Sequence, residues 1–305
     1  MTTATQFGRR DAIDAFAVAT MVLLTFSWGL NSVLIKVANT GYNPVFLTFG
    51  RSALAAVLVY AWCRWRGIRI FDRDGTLPAG ILAGVLFGAE FVLIFFGLDY
   101  TTAARGALMV NTMPFWVLIG AHFWLGERIA PTRFAGLVLA FGGVALVFSD
   151  RLSLPDARAL WGDLMLLAAG VLWAATTIVI KGSRLSTASA EKTLLYQLTV
   201  SAVFALPLIP LAGPVLREVS ALATASFVVQ AVYIVAFTYV VWFWLMRSYP
   251  ASGLSSFAFL SPAFGVLCGA VLLGEPLSWR IFAALVLIAV GLIVVNRPVR
   301  RTLPG

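Results

Sequence analysis

Charge is scarce in this chain. Of its 305 residues, 11% are Asp, Glu, Lys or Arg and 61% are hydrophobic, whereas a soluble domain carries roughly 25% charged residues. With a mean hydropathy of +0.94, no polar coat covers the apolar surface, so the solvent is lipid. Histidine is limited to His122. Lacking acidic or thiol neighbours, it makes no metal site, and its readings are interfacial packing or a proton relay. Cysteine is limited to Cys63 and Cys268, each alone in an apolar segment, which points to neither a metal cage nor a disulfide framework. No GxxxxGK[ST] loop and no linker long enough for a soluble domain occurs, which excludes an ATP-driven pump within this chain. No cofactor is expected.

Long apolar runs are what the sequence has instead. A membrane helix needs about 20 apolar residues, and ten segments qualify: 15–37, 44–63, 77–98, 101–125, 131–148, 160–181, 194–213, 223–246, 250–273 and 279–296. Turn chemistry separates them at Asn43-Pro44, Asp74-Gly75 with Pro78, Gly126 with Pro131, Pro155, and Gly274 with Pro276. The first segment is longer than the apolar region of a secretory signal and is read as retained. Of the 22 Lys and Arg, 15 fall on the side of both termini, 6 on the other, and Arg51 inside a span. That bias places the termini in the cytoplasm.

The halves resemble each other. Ser27-Trp28-Gly29-Leu30-Asn31 through Lys36 matches Leu172-Trp173-Ala174-Ala175-Thr176 through Lys181, and Pro114 with Gly126-Glu127 matches Pro262 with Gly274-Glu275. Five helices per half is an odd number, so the halves enter the membrane from opposite sides. The expected fold is an all-α integral membrane protein of ten transmembrane helices in two five-helix inverted-topology repeats, 15–148 and 160–296. Such repeats are typical of alternating-access carriers with a site near the midplane.

These spans, the paired Pro residues, and Leu125-Gly126-Glu127 and Leu273-Gly274-Glu275 resemble the EamA family of the drug/metabolite transporter superfamily. Glu90, Val110-Asn111 and Leu172-Trp173-Ala174-Ala175 are similar to the YddG-type aromatic amino-acid exporters of that family. The resemblance implies export of amino acids or related metabolites across the bacterial inner membrane.

Ionisable groups deep in a span face a cavity or a partner. Glu90 lies near the middle of 77–98, and Arg51 lies seven residues from the outer end of its span against eight for Glu90. They are expected to form an intramembrane charge pair that lines a cavity, fixes helix packing, or does both. Asn31 and Asn111 are candidate partners for a zwitterion or interhelical glue. Trp28 and Asn31 share a face, repeated by Trp173, Thr176 and Thr177; such a face suits stacking of an aromatic side chain or ordinary packing. In span 8, Tyr239 and Trp242 lie on one face, and Tyr233, Phe237 and Trp244 on another. Only the first pair is taken as substrate-binding. Lys36 with Glu275, and Lys181 with Glu127, are expected to bridge the halves as outer and inner gates; otherwise they only cap helices or snorkel.

The leading function is a secondary exporter of aromatic and other apolar amino acids, working by facilitated alternating access. Its partners are a small-molecule substrate and the bilayer, not nucleic acid. The alternative is a proton-coupled exporter of lipophilic cationic drugs, since an aromatic cavity with one carboxylate suits a cation. An intramembrane enzyme would need clustered catalytic groups, which the deep spans lack.

Overall fold

The computed structural model describes residues 13–101, 103–149, 156–274 and 277–297, and within them all regular structure is helical apart from an isolated bridge between Tyr42 and Leu216. Nine of the described helices are long and apolar enough to cross a membrane, and the segment Arg280–Val295 is apolar but shorter. At 1.5 Å per residue it spans about 24 Å against a hydrocarbon thickness of about 30 Å. The expectation of ten full-length spans is corrected to that extent.

Caps set the ends. Asp14 accepts from the Ala17 N–H at 2.9 Å to open α1 (Ala15–Gly41). Asn43 accepts from Val45 at 2.8 Å and Phe46 at 3.2 Å to open α2 (Pro44–Arg66), which Gly67 closes in the left-handed region. Such caps satisfy amides that no helix carbonyl can reach. α3 (Leu77–Tyr100) and α6 (Pro131–Phe148) carry proline in the first turn, where no amide is lost. Asp156 caps α7 (Ala157–Gly182), and Ser189 caps α8 (Ala190–Ala205).

Four segments expected as single helices are interrupted, the seventh passing from α8 into a 3-10 stretch, Leu206–Ala212, that holds Pro207 and Pro210. Residues 101–125 contain α4 (Ala103–Val110) and α5 (Met113–Leu125), broken at Asn111-Thr112 just before Pro114. The eighth span runs as α9 (Ala221–Val229), a π-helical stretch Gln230–Thr238, and α10 (Tyr239–Ser248). The ninth is α11 (Ala251–Ser256), a tight turn Phe257–Phe259 and α12 (Leu260–Leu273), with Pro262 in its first turn. The breaks in the fourth and ninth spans lie where a proline withholds an amide and crowds the preceding turn. α13 (Arg280–Val295) ends the described chain.

The helices pack as α3 on α7 and α8, α6 on α13, α1 on α9 and α12, α2 on α8, and α5 on α7. Close approach rests on glycine at the α6–α13 contact, where a Cβ on Gly291 would stand 2.6 Å from the Ala140 nitrogen. Large side chains such as Val271, Trp124 and Phe123 are exposed on the outside, as a lipid solvent allows.

Candidate functional site

Four helices converge on a buried group of charge and aromatic rings. Glu90 of α3 and Arg51 of α2 are 4% and 7% exposed. They are close enough to act on each other electrostatically, and among the described residues no contact within 4.0 Å joins the two charges. The guanidinium of Arg51 instead lies 4.5 Å from the centre of the Phe91 ring, a favourable cation–π distance. Oε2 of Glu90 is buried without a hydrogen-bond partner. A buried oxygen left so is costly unless something else completes it.

Aromatic rings wall this group. Phe87 lies 4.9 Å from Phe91 and 6.1 Å from Tyr239, and Trp28 lies 6.1 Å from Tyr239 and 5.6 Å from Trp242. Trp28 Nε1 donates to Thr238 Oγ1 at 3.0 Å, which fixes the indole. Thr238 ends the π-helical stretch, where an extra residue per turn rotates the remainder of the span. Tyr239 and Trp242 therefore face the centre. Tyr233 and Phe237 stack on each other on the outer side, 41% and 59% exposed. Asn31, three residues beyond Trp28, has a buried Oδ1 without a partner, as do Gln197 Oε1 and Ser201 Oγ on α8.

The other expected residues lie elsewhere. Trp173 packs with Met113, Val117, Ala174, Ala251 and Ala258 in a separate apolar cluster. Thr176 and Thr177 donate to Leu172 O at 2.9 Å and Trp173 O at 3.1 Å within their own helix. Asn111 sits at the break in its span and donates to Ala107 O at 2.7 Å. The contacts of these side chains are with helix carbonyls and apolar neighbours.

Lys181 and Glu127 do not bridge directly. Lys181 Nζ donates to the carbonyls of Met246 and Tyr249, while Glu127 accepts from the Ala251 amide at 3.1 Å and the Ser252 hydroxyl, with Arg133 at 3.8 Å. The ammonium takes the carbonyls at the end of α10, and the carboxylate takes one amide and one hydroxyl at the start of α11. Tyr249 OH donates to Asp14 at 2.9 Å on the same face. Lys36 is exposed on α1; Glu275 lies outside the described residues.

The sequence reading passed over one charged contact. Arg105 pairs with Asp163 of α7, which also accepts from Thr101 at 2.8 Å, and both charges are largely buried. An acid inside the apolar segment 160–181 was the available signal. Phe87, at helical spacing from Glu90, was another. Outside the spans, Asp74 accepts from buried Lys192 at 2.8 Å and from Thr76 at 2.6 Å. These bonds, the Lys192 one first, hold its carboxyl well below the usual carboxylate range.

The profile of the EamA-like transporter family matches this chain twice, over residues 15–149 and 160–297. The chain belongs to that family. Among its relatives is an uncharacterized transporter of Bacillus subtilis strain 168, YvbV, 29% identical over 90% of this chain and 90% of the relative. A probable amino-acid metabolite efflux pump of Escherichia coli K12 is 26% identical over 93% and 94%. One solved crystal structure superposes with a TM-score of 0.79 at 19% identity, over 92% of this chain and 94% of the other; that likeness carries the fold alone. Family and relatives are transporters rather than enzymes, so this EamA-family chain is a multi-pass membrane transporter with a small-molecule substrate.

Proposed function

We propose that the protein exports amino acids with aromatic or other apolar side chains, or closely related metabolites, across the bacterial inner membrane by alternating access, with both termini in the cytoplasm. The carrying observation is that Glu90 keeps an unpartnered buried oxygen while Arg51, at nearly the same depth, rests on Phe91 instead of bridging to it. A zwitterion supplies what each lacks: an ammonium for the carboxylate and a carboxylate for the guanidinium. Its side chain would stack among Trp28, Phe87, Tyr239 and Trp242. The YddG-type resemblance and the role named for the E. coli relative support an amino-acid metabolite as cargo.

Two inverted five-helix repeats are part of this reading. The tandem family match supports them, as does the pairing of helices: α1 packs on α9 and α12, and α7, its counterpart, packs on α3 and α5. In this reading net flux follows the amino-acid gradient, with the carrier alternating between its two open states.

Counterflow of labelled phenylalanine into proteoliposomes tests the site. Glu90→Gln and Arg51→Gln are each expected to cut uptake about tenfold or more, the equivalent of roughly 1.4 kcal/mol of lost binding. Unchanged uptake in both would reject the reading. The aromatic wall also favours a second reading, proton-coupled export of a lipophilic cation; that cargo would need Glu90 but tolerate Arg51→Gln, and it would move uphill in an imposed proton gradient.

A further inference from the structure

A groove on the lateral surface, away from the aromatic centre, runs between α3 and α5 with α7 as its floor. Its volume is about 620 Å³, and its lining includes Leu82, Trp116, Trp124, Ala175, Ile178 and Ser183. This is the size range of a small-molecule site, but the walls offer almost nothing to hold a polar ligand. The floor residues extend from Val171 to Ser183 on α7 and the adjoining turn. At 1.5 Å per residue the groove is about 16–18 Å long, close to one leaflet of a hydrocarbon core of about 30 Å. Small residues keep it open: Gly120, Ala174, Ala175 and Gly182 all line it.

The mouth carries two exposed arginines. Arg184 follows Ser183 directly, Arg128 lies four residues beyond Trp124, and both are exposed. Two acids of this rim are already bonded: Glu127 is taken by Ser252, Ala251 and Arg133, and Asp74, though exposed, by Lys192 and Thr76. Arg184 reaches a carbonyl, that of Asp74, at 3.4 Å, and forms no ion pair within 4.0 Å among the described residues. A second copy docked here about a twofold axis would set cationic rim against cationic rim.

We propose that the groove seats one acyl chain of an anionic phospholipid from the leaflet in which α7 ends, with the headgroup phosphate at Arg128 and Arg184. Cationic rims above interhelical clefts are suited to such headgroups. The groove carries no charged group for the transported substrate, so this is a lipid site separate from the transport site and independent of which substrate is carried.

Quenching of tryptophan fluorescence by chain-brominated lipids tests it in vesicles of phosphatidylcholine. Full-length protein is compared with brominated phosphatidylglycerol and with brominated phosphatidylcholine as the minor component. Half-quenching is expected at a fraction on the order of fivefold lower for phosphatidylglycerol, the effect of about one cation–headgroup contact. The Arg128→Gln/Arg184→Gln double variant is expected to erase the preference, and Ala175→Phe, which fills the groove, to erase the preferential quenching. Equal quenching by the two lipids, or a preference that survives both variants, overturns the proposal. Should Ala175→Phe fail to fold, Trp124→Phe serves instead: that ring is 74% exposed, and its removal must take away part of the phosphatidylglycerol-specific quenching. A dimer that Ala175→Phe dissolves, with no lipid preference, would assign the groove to a second copy and also overturn it.

Discussion

Asp163 and Arg105 behave differently from Glu90 and Arg51, although all four are charges within apolar helices. The first two are locked together, and Thr101 saturates the carboxylate further, so this pair is structural. Removing one partner of a buried pair leaves the other uncompensated and typically costs about 3 kcal/mol or more. Asp163→Asn is therefore expected to lower the midpoint of thermal unfolding in detergent by several degrees, with substrate affinity unchanged in the protein that remains folded. A loss of affinity with unchanged stability would instead place Asp163 in the transport path. Glu90 and Arg51 show the reverse pattern, an oxygen of Glu90 lacking a hydrogen-bond partner and Arg51 resting on a ring, which is why their neutralisation is expected to reach uptake before stability.

Elements of this bundle meet through glycine. α6 and α13 approach so closely that a Cβ on Gly291 would lie 2.6 Å from Ala140 N and 2.7 Å from Gly136 O. Backbone cannot yield as a side chain can. Gly291→Leu is expected to force the helices apart and cost about 3 kcal/mol or more, as overpacking against main chain does at its upper end; normal yield and an unchanged unfolding midpoint would contradict the close packing. The connection between α2 and α3 is held by charge instead. Asp74 has its carboxyl pKa depressed by Lys192 and Thr76, so the stabilisation is present above the unfolded value of about 3.9 and is lost only as pH falls through the depressed folded value. Protease sensitivity of the 67–76 loop should accordingly be the same at neutral pH and at a pH of about 5, rising only in strongly acidic buffer. Asp74→Asn should open the loop at every pH, and a loop that loosens between those two mild conditions would show that another group controls it.

Across the whole bundle, the face where α1 begins is tied shut around the turn between α10 and α11. Lys181, Glu127 with Arg133, and Asp14 through Tyr249 all hold that turn. In the proposed transport cycle these contacts break when the cytoplasmic side opens. These are hydrogen bonds to charged groups, worth about 1.5–3 kcal/mol each, so Glu127→Gln or Lys181→Met should shift the balance about tenfold or more towards opening rather than abolish transport. With Cys63 and Cys268 replaced, the alkylation rate of a Ser255→Cys probe, at a buried position on α11, reads that shift. A rate unmoved by both variants would show that the clamp does not bias the equilibrium.

The solvent and the segments were legible in the sequence alone. Apolar length, Asn43 and Gly126 at the breaks between spans, and Pro114 and Pro262 within them are local facts, because in lipid each span must satisfy its own backbone. Sequence also singled out Trp28, Glu90, Tyr239 and Trp242, which the structure gathers with Arg51 into one neighbourhood. It took the packed fold to settle that Arg51 rests on Phe91 rather than on Glu90, that Trp173 belongs to another cluster, and that Lys181 and Glu127 grip one turn instead of each other. Equal depth in the membrane does not set which way a helix is rotated, and each residue turns a side chain by about 100°. The π-helical stretch before Tyr239 and the break at Asn111-Thr112 shift that rotation partway along a span, so the partners of a side chain depend on packing that no single segment contains.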